Sequence, residues 1–308
     1  MKTSYYSHGK LLLTGEYLVL DGVQALAIPT KKGQWLLVEE NNSEIIHWKS
    51  LDEKGNCWFE ANFQFQNDVF TQTDSNDTTV SEVSETLLKI LNTAKQLNPN
   101  LISSQKGYTI TTKLEFDRDW GLGSSSTVIN NIAQWAEINA FELLEKSFGG
   151  SGYDVACAHN NTPILYKRNN FTPLVKKVDF DPPFKENLFF VHLNKKQSSS
   201  ASIKHYQSLP LKDFDKAENA INDITSKLLE CQALEEFKTL INNHEEIISK
   251  IIKTETVKSR LFSDYSGSVK SLGGWGGDFV LVTGTLSDIT YFRNKGYHTI
   301  IPYLEMVL

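Results

Sequence analysis

Between a run that alternates as a strand (residues 108–116) and a long helical pattern, the chain reads Trp120-Gly121-Leu122-Gly123-Ser124-Ser125-Ser126-Thr127. A glycine-serine turn joining a strand to a helix narrows what such a chain can be. The glycines let backbone N–H groups approach an anion, the helix start adds unpaired donors and a partial positive charge, and serine hydroxyls can bind phosphate oxygen or a metal. The segment therefore reads as a phosphate cradle, and equally as a tight turn in which Ser124 caps the helix. No Gly-Lys-Ser/Thr closes it, so it is not a Walker A loop. Ser126 stands where a dinucleotide fingerprint would carry its third glycine.

Two further glycine-bearing segments flank this one at a distance. Near the start, Ser7-His8-Gly9-Lys10-Leu11-Leu12-Leu13-Thr14-Gly15-Glu16-Tyr17 sets a lysine beside a glycine at the head of an apolar strand. An ammonium placed there can reach a phosphate or a substrate hydroxyl, whose pKa it would lower; a solvated lysine at a strand end has the same sequence. His8 is given no catalytic role. Near the end, Ser271-Leu272-Gly273-Gly274-Trp275-Gly276-Gly277-Asp278 carries four glycines in five residues, which invites close backbone approach by a ligand or forms a flexible hairpin.

The rest of the pattern places these segments in a mixed chain of 308 residues, about twice the roughly 150 of one ordinary domain. Strands are expected over residues 10–21, 35–39, 44–48 and 108–116, a loop over 67–81, and a helix over 83–97. The helix after the phosphate loop is expected to run to about Lys146. A second glycine cluster, Gly149-Gly150-Ser151-Gly152, precedes a strand at residues 163–166, and Asp181-Pro182-Pro183 punctuates the middle. A strand over residues 188–193 then opens a mostly helical part, in which Ala217, Ala220, Ile221, Ile224 and Leu228, and then Phe237, Leu240, Ile241, Ile248 and Ile252, form two amphipathic stripes. Such stripes are core. A strand at residues 279–282, a helix over 287–295 and a last strand near Ile300 close the chain.

Composition removes several function classes. A net charge of −6 does not suit general nucleic-acid binding, and no stretch reaches the roughly 18 apolar residues of a membrane span. The three cysteines, Cys57, Cys157 and Cys231, form no C-x-x-C pair, so neither a disulfide framework nor a zinc site is indicated. The first residues lack the apolar core of a secretory signal. A cytoplasmic protein acting on a small molecule is expected, without nucleic-acid or membrane partners, as a monomer or homodimer.

The three glycine segments, in this order and at these distances, resemble the GHMP small-molecule kinases, the family of galactokinase, homoserine kinase, mevalonate kinase and phosphomevalonate kinase. The resemblance spans nearly the whole chain: Gly9-Lys10 through Gly15-Glu16-Tyr17 for the first motif, Gly121-Leu122-Gly123-Ser124-Ser125-Ser126 for the phosphate loop, and Gly273, Gly274, Gly276 and Gly277 for the C-terminal glycine motif. A fourth segment, Ser151-Gly152-Tyr153-Asp154, is similar to the Ser-Gly-x-Asp stretch whose aspartate is the catalytic carboxylate in the mevalonate and phosphomevalonate kinase branch.

The resemblance implies an α+β fold of two lobes, the first like ribosomal protein S5 (residues 1–180) and the second ferredoxin-like (181–308), with the site in the cleft between them. It implies ATP and Mg²⁺. Residues 121–126 would wrap the ATP phosphates with Ser125 near the metal, Asp154 would accept or orient the acceptor's proton, and Lys10 would stabilise the alkoxide and the γ-phosphoryl oxygens. Glu142 and Glu145 both fall near the family's metal-binding glutamate, and the choice between them stays open, with Glu142 taken as the candidate. Gly15-Glu16-Tyr17 and Gly150-Ser151-Gly152-Tyr153-Asp154 look more like phosphomevalonate kinases, and Ser198, in Lys195-Lys196-Gln197-Ser198-Ser199-Ser200, is a candidate contact for a phosphorylated substrate. That segment also reads as a solvated loop. Ser7-His8, where the family usually has Ala-Pro, and Trp275, where a small residue is usual, mark a divergent branch. The expected activity is transfer of the γ-phosphoryl group of ATP to a hydroxyl or phosphate acceptor, phosphomevalonate or mevalonate first; an ATP-dependent decarboxylase or a non-catalytic ATP and metabolite sensor are the alternatives.

Overall fold

A 17-residue strand, Ala25–Asn41 (β2), forms the spine of the first sheet. The computed structural model describes residues 2–67, 69–73, 81–102, 106–169, 171–210 and 214–308. Along β2 run Lys2–Leu12 (β1), Gly107–Leu114 (β6) and Ile164–Lys167 (β7), all antiparallel to it. Ile45–Leu51 (β3) joins β6 in parallel, and Cys57–Gln66 (β4), Val69–Gln72 (β5) and Leu174–Lys177 (β8) complete an eight-stranded sheet in the order β5-β4-β3-β6-β2-β7-β8, with β1 on β2. A second sheet of four strands, Val269–Ser271 (β10), Phe279–Thr283 (β11), Leu188–His192 (β9) and Ile300–Pro302 (β12), is antiparallel throughout. The expected α+β class is the observed one.

Several elements differ from their expected limits for local reasons. The first strand begins at Lys2 and stops at Leu12, because Gly15 (φ 83°) and Tyr17 (φ 63°) take left-handed backbone and residues 18–21 coil into a short 3₁₀ turn. The helix after the glycine-serine loop is two helices, Ser124–Ala136 (α2) and Ala140–Ser147 (α3): Glu137 turns left-handed at φ 53°, and Asn139 caps the second by accepting from the N–H groups of Phe141 and Glu142. Part of the expected loop at 67–81 is the strand β5; the stretch 74–80 lies outside the described residues. The helix at 83–97 is present as Glu82–Leu97 (α1), capped by Ser81.

Packing explains how distant segments meet. One face of the first sheet buries Val38, Trp48 and Phe63 against Leu91 of α1 and Ile129 and Ile132 of α2. A second cluster lies between the sheets: Leu11, Leu13, Leu26 and Leu122 on one side, Phe190, Phe279 and Leu281 on the other, with Leu228 of Phe214–Glu230 (α6) and Phe237 and Ile241 of Leu234–Ile252 (α7). The two amphipathic stripes are core as their spacing requires, apart from Ala220, which is half-buried. Leu122, 1% exposed, is the anchor of interest: it belongs to the glycine-serine loop yet points into the apolar layer. Its burial, worth about 2 kcal/mol, holds the loop beside the end of β1 and the start of β11.

Candidate active site

The glycine-serine loop enters α2 through Gly123, whose left-handed backbone (φ 87°) puts it at the N-cap without any side-chain hydrogen bond. Ser124 is the first helical residue and does not cap. The opening N–H groups of a 13-residue helix are thus left for a ligand, and the Ser124, Ser125 and Ser126 hydroxyls beside them have no hydrogen-bond partner among the described residues. The helix is pinned from below: Thr127 Oγ1 donates to Gln34 Oε1 (2.6 Å), Asn131 Nδ2 to Gln34 O (3.0 Å), and Ser7 Oγ donates to Asn131 Oδ1 and accepts from Asn130 Nδ2 (both 2.8 Å). Ser7 thereby has a buried structural role.

Lys10 meets this loop twice. Its backbone N–H donates to Leu122 O and its Nζ to Gly121 O, both at 3.0 Å. The same ammonium lies 3.4 Å from Asp154 Oδ1, with the two side chains 13% and 27% exposed, and 5.6 Å from the Tyr153 ring centroid. Asp154 stands in the first turn of Tyr153–His159 (α4), which Gly152 enters at φ 85°. A Cβ on Gly152 would lie 2.6 Å from the Tyr166 hydroxyl, which donates to Ser151 O at 2.6 Å, so a larger residue would displace α4. Asp154 Oδ1 is shielded from solvent and accepts no hydrogen bond. Burial, then the Asp154 charge, pushes the Tyr153 hydroxyl well above its ordinary pKa, so it stays protonated. A Cβ on Gly273 would be 3.9 Å from both Lys10 Nζ and the Tyr153 hydroxyl, which puts the C-terminal glycine segment at the same point.

Other expected site residues are placed differently. Glu16 is fully buried; its carboxylate is bonded to Lys270 Nζ, and Oε2 lies 3.2 Å from His244 Nε2. Lys270, also fully buried, reaches Glu245 Oε1 at 3.2 Å, and Ser271 Oγ donates to Glu245 Oε2 at 3.0 Å. The Gly15 N–H donates to His244 Nε2 (3.1 Å), and burial followed by the Lys270 charge holds that imidazole neutral. Burial pushes Glu16 up to about 7 against the opposing pull of Lys270. Glu16 thus braces the turn from inside. Tyr17 accepts the Trp275 backbone N–H through its hydroxyl (3.0 Å), joining the first and last glycine segments. The Trp275 indole sits with Leu18, Val23, Tyr206, Ile221, Ile248 and Ile252, an apolar anchor for its loop.

Gly274 and Gly277 lie beneath residues 195–197: a Cβ would meet Gln197 Cγ at 2.8 Å and Lys195 O at 2.6 Å. Gly276 faces the Arg260 guanidinium at 3.4 Å by the same construction. Ser198 caps Ser199–Gln207 (α5), accepting the Ala201 N–H at 3.3 Å. Asp278, unassigned in the sequence reading, is 8% exposed beside Gly121, and burial raises its carboxyl pKa. It directly follows the last glycine run, which was the available signal; nothing marked Lys270, His244 or Glu245.

Glu142 pairs with Lys146 at 2.7 Å and Glu145 with Arg168 at 3.5 Å, both on α3, so neither is joined to Lys10, Asp154 or Ser125 by a contact among the described residues. No group of three or more His, Cys, Asp or Glu is arranged as a metal site among those residues. Magnesium is commonly held by one or two carboxylates together with substrate phosphates and water, so the Ser125 hydroxyl beside the open start of α2 suits a metal carried on the phosphates without a protein cage.

No protein-family model matches the chain, and no curated protein matches it by sequence. Solved structures do. The mevalonate kinase of Methanococcus jannaschii is similar at 15% identity and TM-score 0.69, over 96% of this chain and 94% of that one. The phosphomevalonate kinase of Streptococcus pneumoniae, in complex with phosphomevalonate and AMPPNP, is similar at 15% identity and TM-score 0.67, over 95% of each chain. The galactokinase of Lactococcus lactis, complexed with galactose, follows at 12% identity and TM-score 0.60, over 95% of this chain and 88% of that one. No described helix is long and apolar enough to cross a membrane. The mixed architecture, with its glycine-serine loop between strand and helix, is the fold of the GHMP small-molecule kinases.

Proposed function

We propose that the chain is an ATP-dependent small-molecule kinase that transfers the γ-phosphoryl group to a hydroxyl or phosphate acceptor, with phosphomevalonate or mevalonate the first acceptors to try. The observation that carries this reading is the convergence of Lys10 on both Gly121 O and Asp154 beside the uncapped start of α2. Phosphoryl transfer asks a protein mainly for positioning and charge neutralisation. The α2 N–H groups and the serine hydroxyls suit the phosphate chain, and Lys10 stands where it can pass its ammonium from Gly121 O to a γ-phosphoryl oxygen. For a hydroxyl acceptor, the O–H proton goes to Asp154 Oδ1, the acceptor oxygen bonds to the γ-phosphorus, and the bond to the β-phosphate oxygen breaks to release ADP. Magnesium, when bound, neutralises charge on the β- and γ-phosphate oxygens. The fold shared with phosphomevalonate and mevalonate kinases supports the choice of acceptors.

The test is ADP release with Mg²⁺ against mevalonate, phosphomevalonate, diphosphomevalonate, homoserine and galactose, with products identified by mass. One added phosphoryl group on any of them supports a kinase and names its acceptor. Carbon dioxide release would replace the kinase with a decarboxylase, and tight ATP binding with no product would favour a sensor.

A further inference from the structure

We propose that Asp278 is a positioning residue that sets the phosphate loop: its carboxylate is the wedge against which Gly121, itself in left-handed backbone at φ 68°, rests without a side chain between them. The proposal rests on the reading of residues 121–126 as the nucleotide phosphate site.

Three observations define the wedge. Asp278 stands at the mouth of β11 in left-handed backbone, φ 53°, which a residue other than glycine adopts at a cost and keeps when its surroundings hold it. The surroundings do so through one segment: the Asp278 N–H donates to Lys195 O (2.7 Å), its C=O accepts from Leu193 N–H (2.8 Å), and its Oδ1 accepts from Gln197 N–H (3.0 Å). The other carboxylate oxygen is turned toward Gly121. A Cβ on Gly121 would lie 2.3 Å from Asp278 Cγ, 2.3 Å from Oδ2 and 2.8 Å from its Cβ. The loop ahead of α2 and the entry to β11 in the second sheet thus meet through one carboxylate, and the Gly121 carbonyl is the group that receives Lys10 Nζ.

The consequence concerns binding geometry. If Gly121 moved toward the second sheet, its carbonyl would leave Lys10 and the α2 N-terminus would tilt; the carboxylate occupies the space that this movement needs. Burial raises the Asp278 carboxyl, and the Gln197 N–H together with the Lys10 and Lys196 charges opposes that rise without reversing it. The contact is one of shape. An asparagine retains both the volume and the oxygen that accepts from Gln197, whereas a glycine removes the wedge and suits φ 53° without strain.

The experiment measures the affinity of Mg²⁺-AMPPNP by calorimetry for wild type, D278N, D278G, G121A and the G121A/D278G double variant, with thermal unfolding to establish that each is folded. D278G is expected to weaken binding at least fivefold and D278N less than fivefold. G121A, whose new methyl collides with the carboxylate, is expected to weaken it further, and the double variant to recover at least fivefold relative to G121A. That rescue is a readout that loss of stability alone would not produce. Weakening of less than fivefold in D278G, equal loss in D278N and D278G, or no rescue in the double variant overturns the wedge while leaving the nucleotide site standing. A folded wild type that does not bind Mg²⁺-AMPPNP overturns the phosphate-site reading itself.

Discussion

Replacing Glu16 by glutamine should flatten the pH dependence of stability. Glu16 is fully buried, and burial outweighs the pull of Lys270, so its carboxyl is pushed up to about 7 from 4.5. In the unfolded chain it returns to its ordinary value. Between those two values the folded protein holds a proton that the unfolded chain has lost, so stability falls as pH rises through this window and levels off above it. One group moving from about 4.5 to about 7 removes about 2 kcal/mol between about pH 5.5 and about pH 8.5. His244, held neutral by burial, acts in the opposite sense below about pH 6.5, where only the unfolded chain takes up the proton. His244 and Glu245, whose carboxyl is also raised by burial, both remain in the variant, so the difference between the two proteins reports the proton on Glu16 together with its coupling to Glu245. The assay is urea unfolding followed by tryptophan fluorescence across that range at constant ionic strength. Glutamine keeps an oxygen for Lys270 and removes the titration. Wild type should therefore lose about 2 kcal/mol relative to Glu16→Gln as pH rises across the window. Profiles that stay parallel within about 0.5 kcal/mol would refute the argument that a proton on Glu16 is coupled to folding.

Asp154→Asn should lower turnover by more than about tenfold while leaving Mg²⁺-ATP affinity nearly unchanged, because it removes the proton acceptor and keeps its shape; turnover within tenfold of wild type in a steady-state assay would exclude Asp154 as the catalytic carboxylate. Ser125→Ala should chiefly raise the apparent KM for Mg²⁺-ATP, and an unchanged value would reject a metal or phosphate role for that hydroxyl. Leu122→Ala should cost about 2–5 kcal/mol in urea unfolding, because a side chain 1% exposed leaves a cavity between the two sheets. A loss below about 1 kcal/mol would mean that the loop is not anchored through this side chain.

The residues that meet at Lys10 were legible because all four segments carry glycines where backbone must approach closely. Gly123 accommodates the Lys10 side chain, whose Cγ and Cε would each lie 3.2 Å from an added Cβ, and Gly152 makes room for the Tyr166 hydroxyl. The ion cluster behind Glu16 was not legible. Lys270 lies in a three-residue strand between Val269 and Ser271, with the spacing of an ordinary surface lysine, and its partners come from Glu16 and from Glu245, which are distant in the chain. Helix limits failed for a comparable reason. Glu137 carries no sequence mark of a left-handed residue, so the periodicity of α2 ran on into α3.

The Gly9-Lys10 pair shows how a short motif acts through the sheet. β1 follows β2 in register from Lys2 against Glu39 to His8 against Gly33, and resumes with Lys10 against Pro29, so the pairing shifts at Gly9. Side chains alternate along a strand, and an irregularity of this kind re-aims the residue that follows it. Gly9 permits the shift because a Cβ there would stand 2.5 Å from Thr30 Oγ1 and 3.2 Å from Leu122 O. Across that same gap the Lys10 N–H reaches Leu122 O, and its Nζ goes on to Gly121 O and Asp154. The glycine and the lysine therefore act as a unit: the first lets β1 come against the glycine-serine loop, and the second uses that approach to carry a charge from the sheet to Gly121 O and Asp154. A lysine at this position in an unbroken strand would be held by ordinary pairing to β2, without the approach to Leu122 that brings its ammonium to the loop.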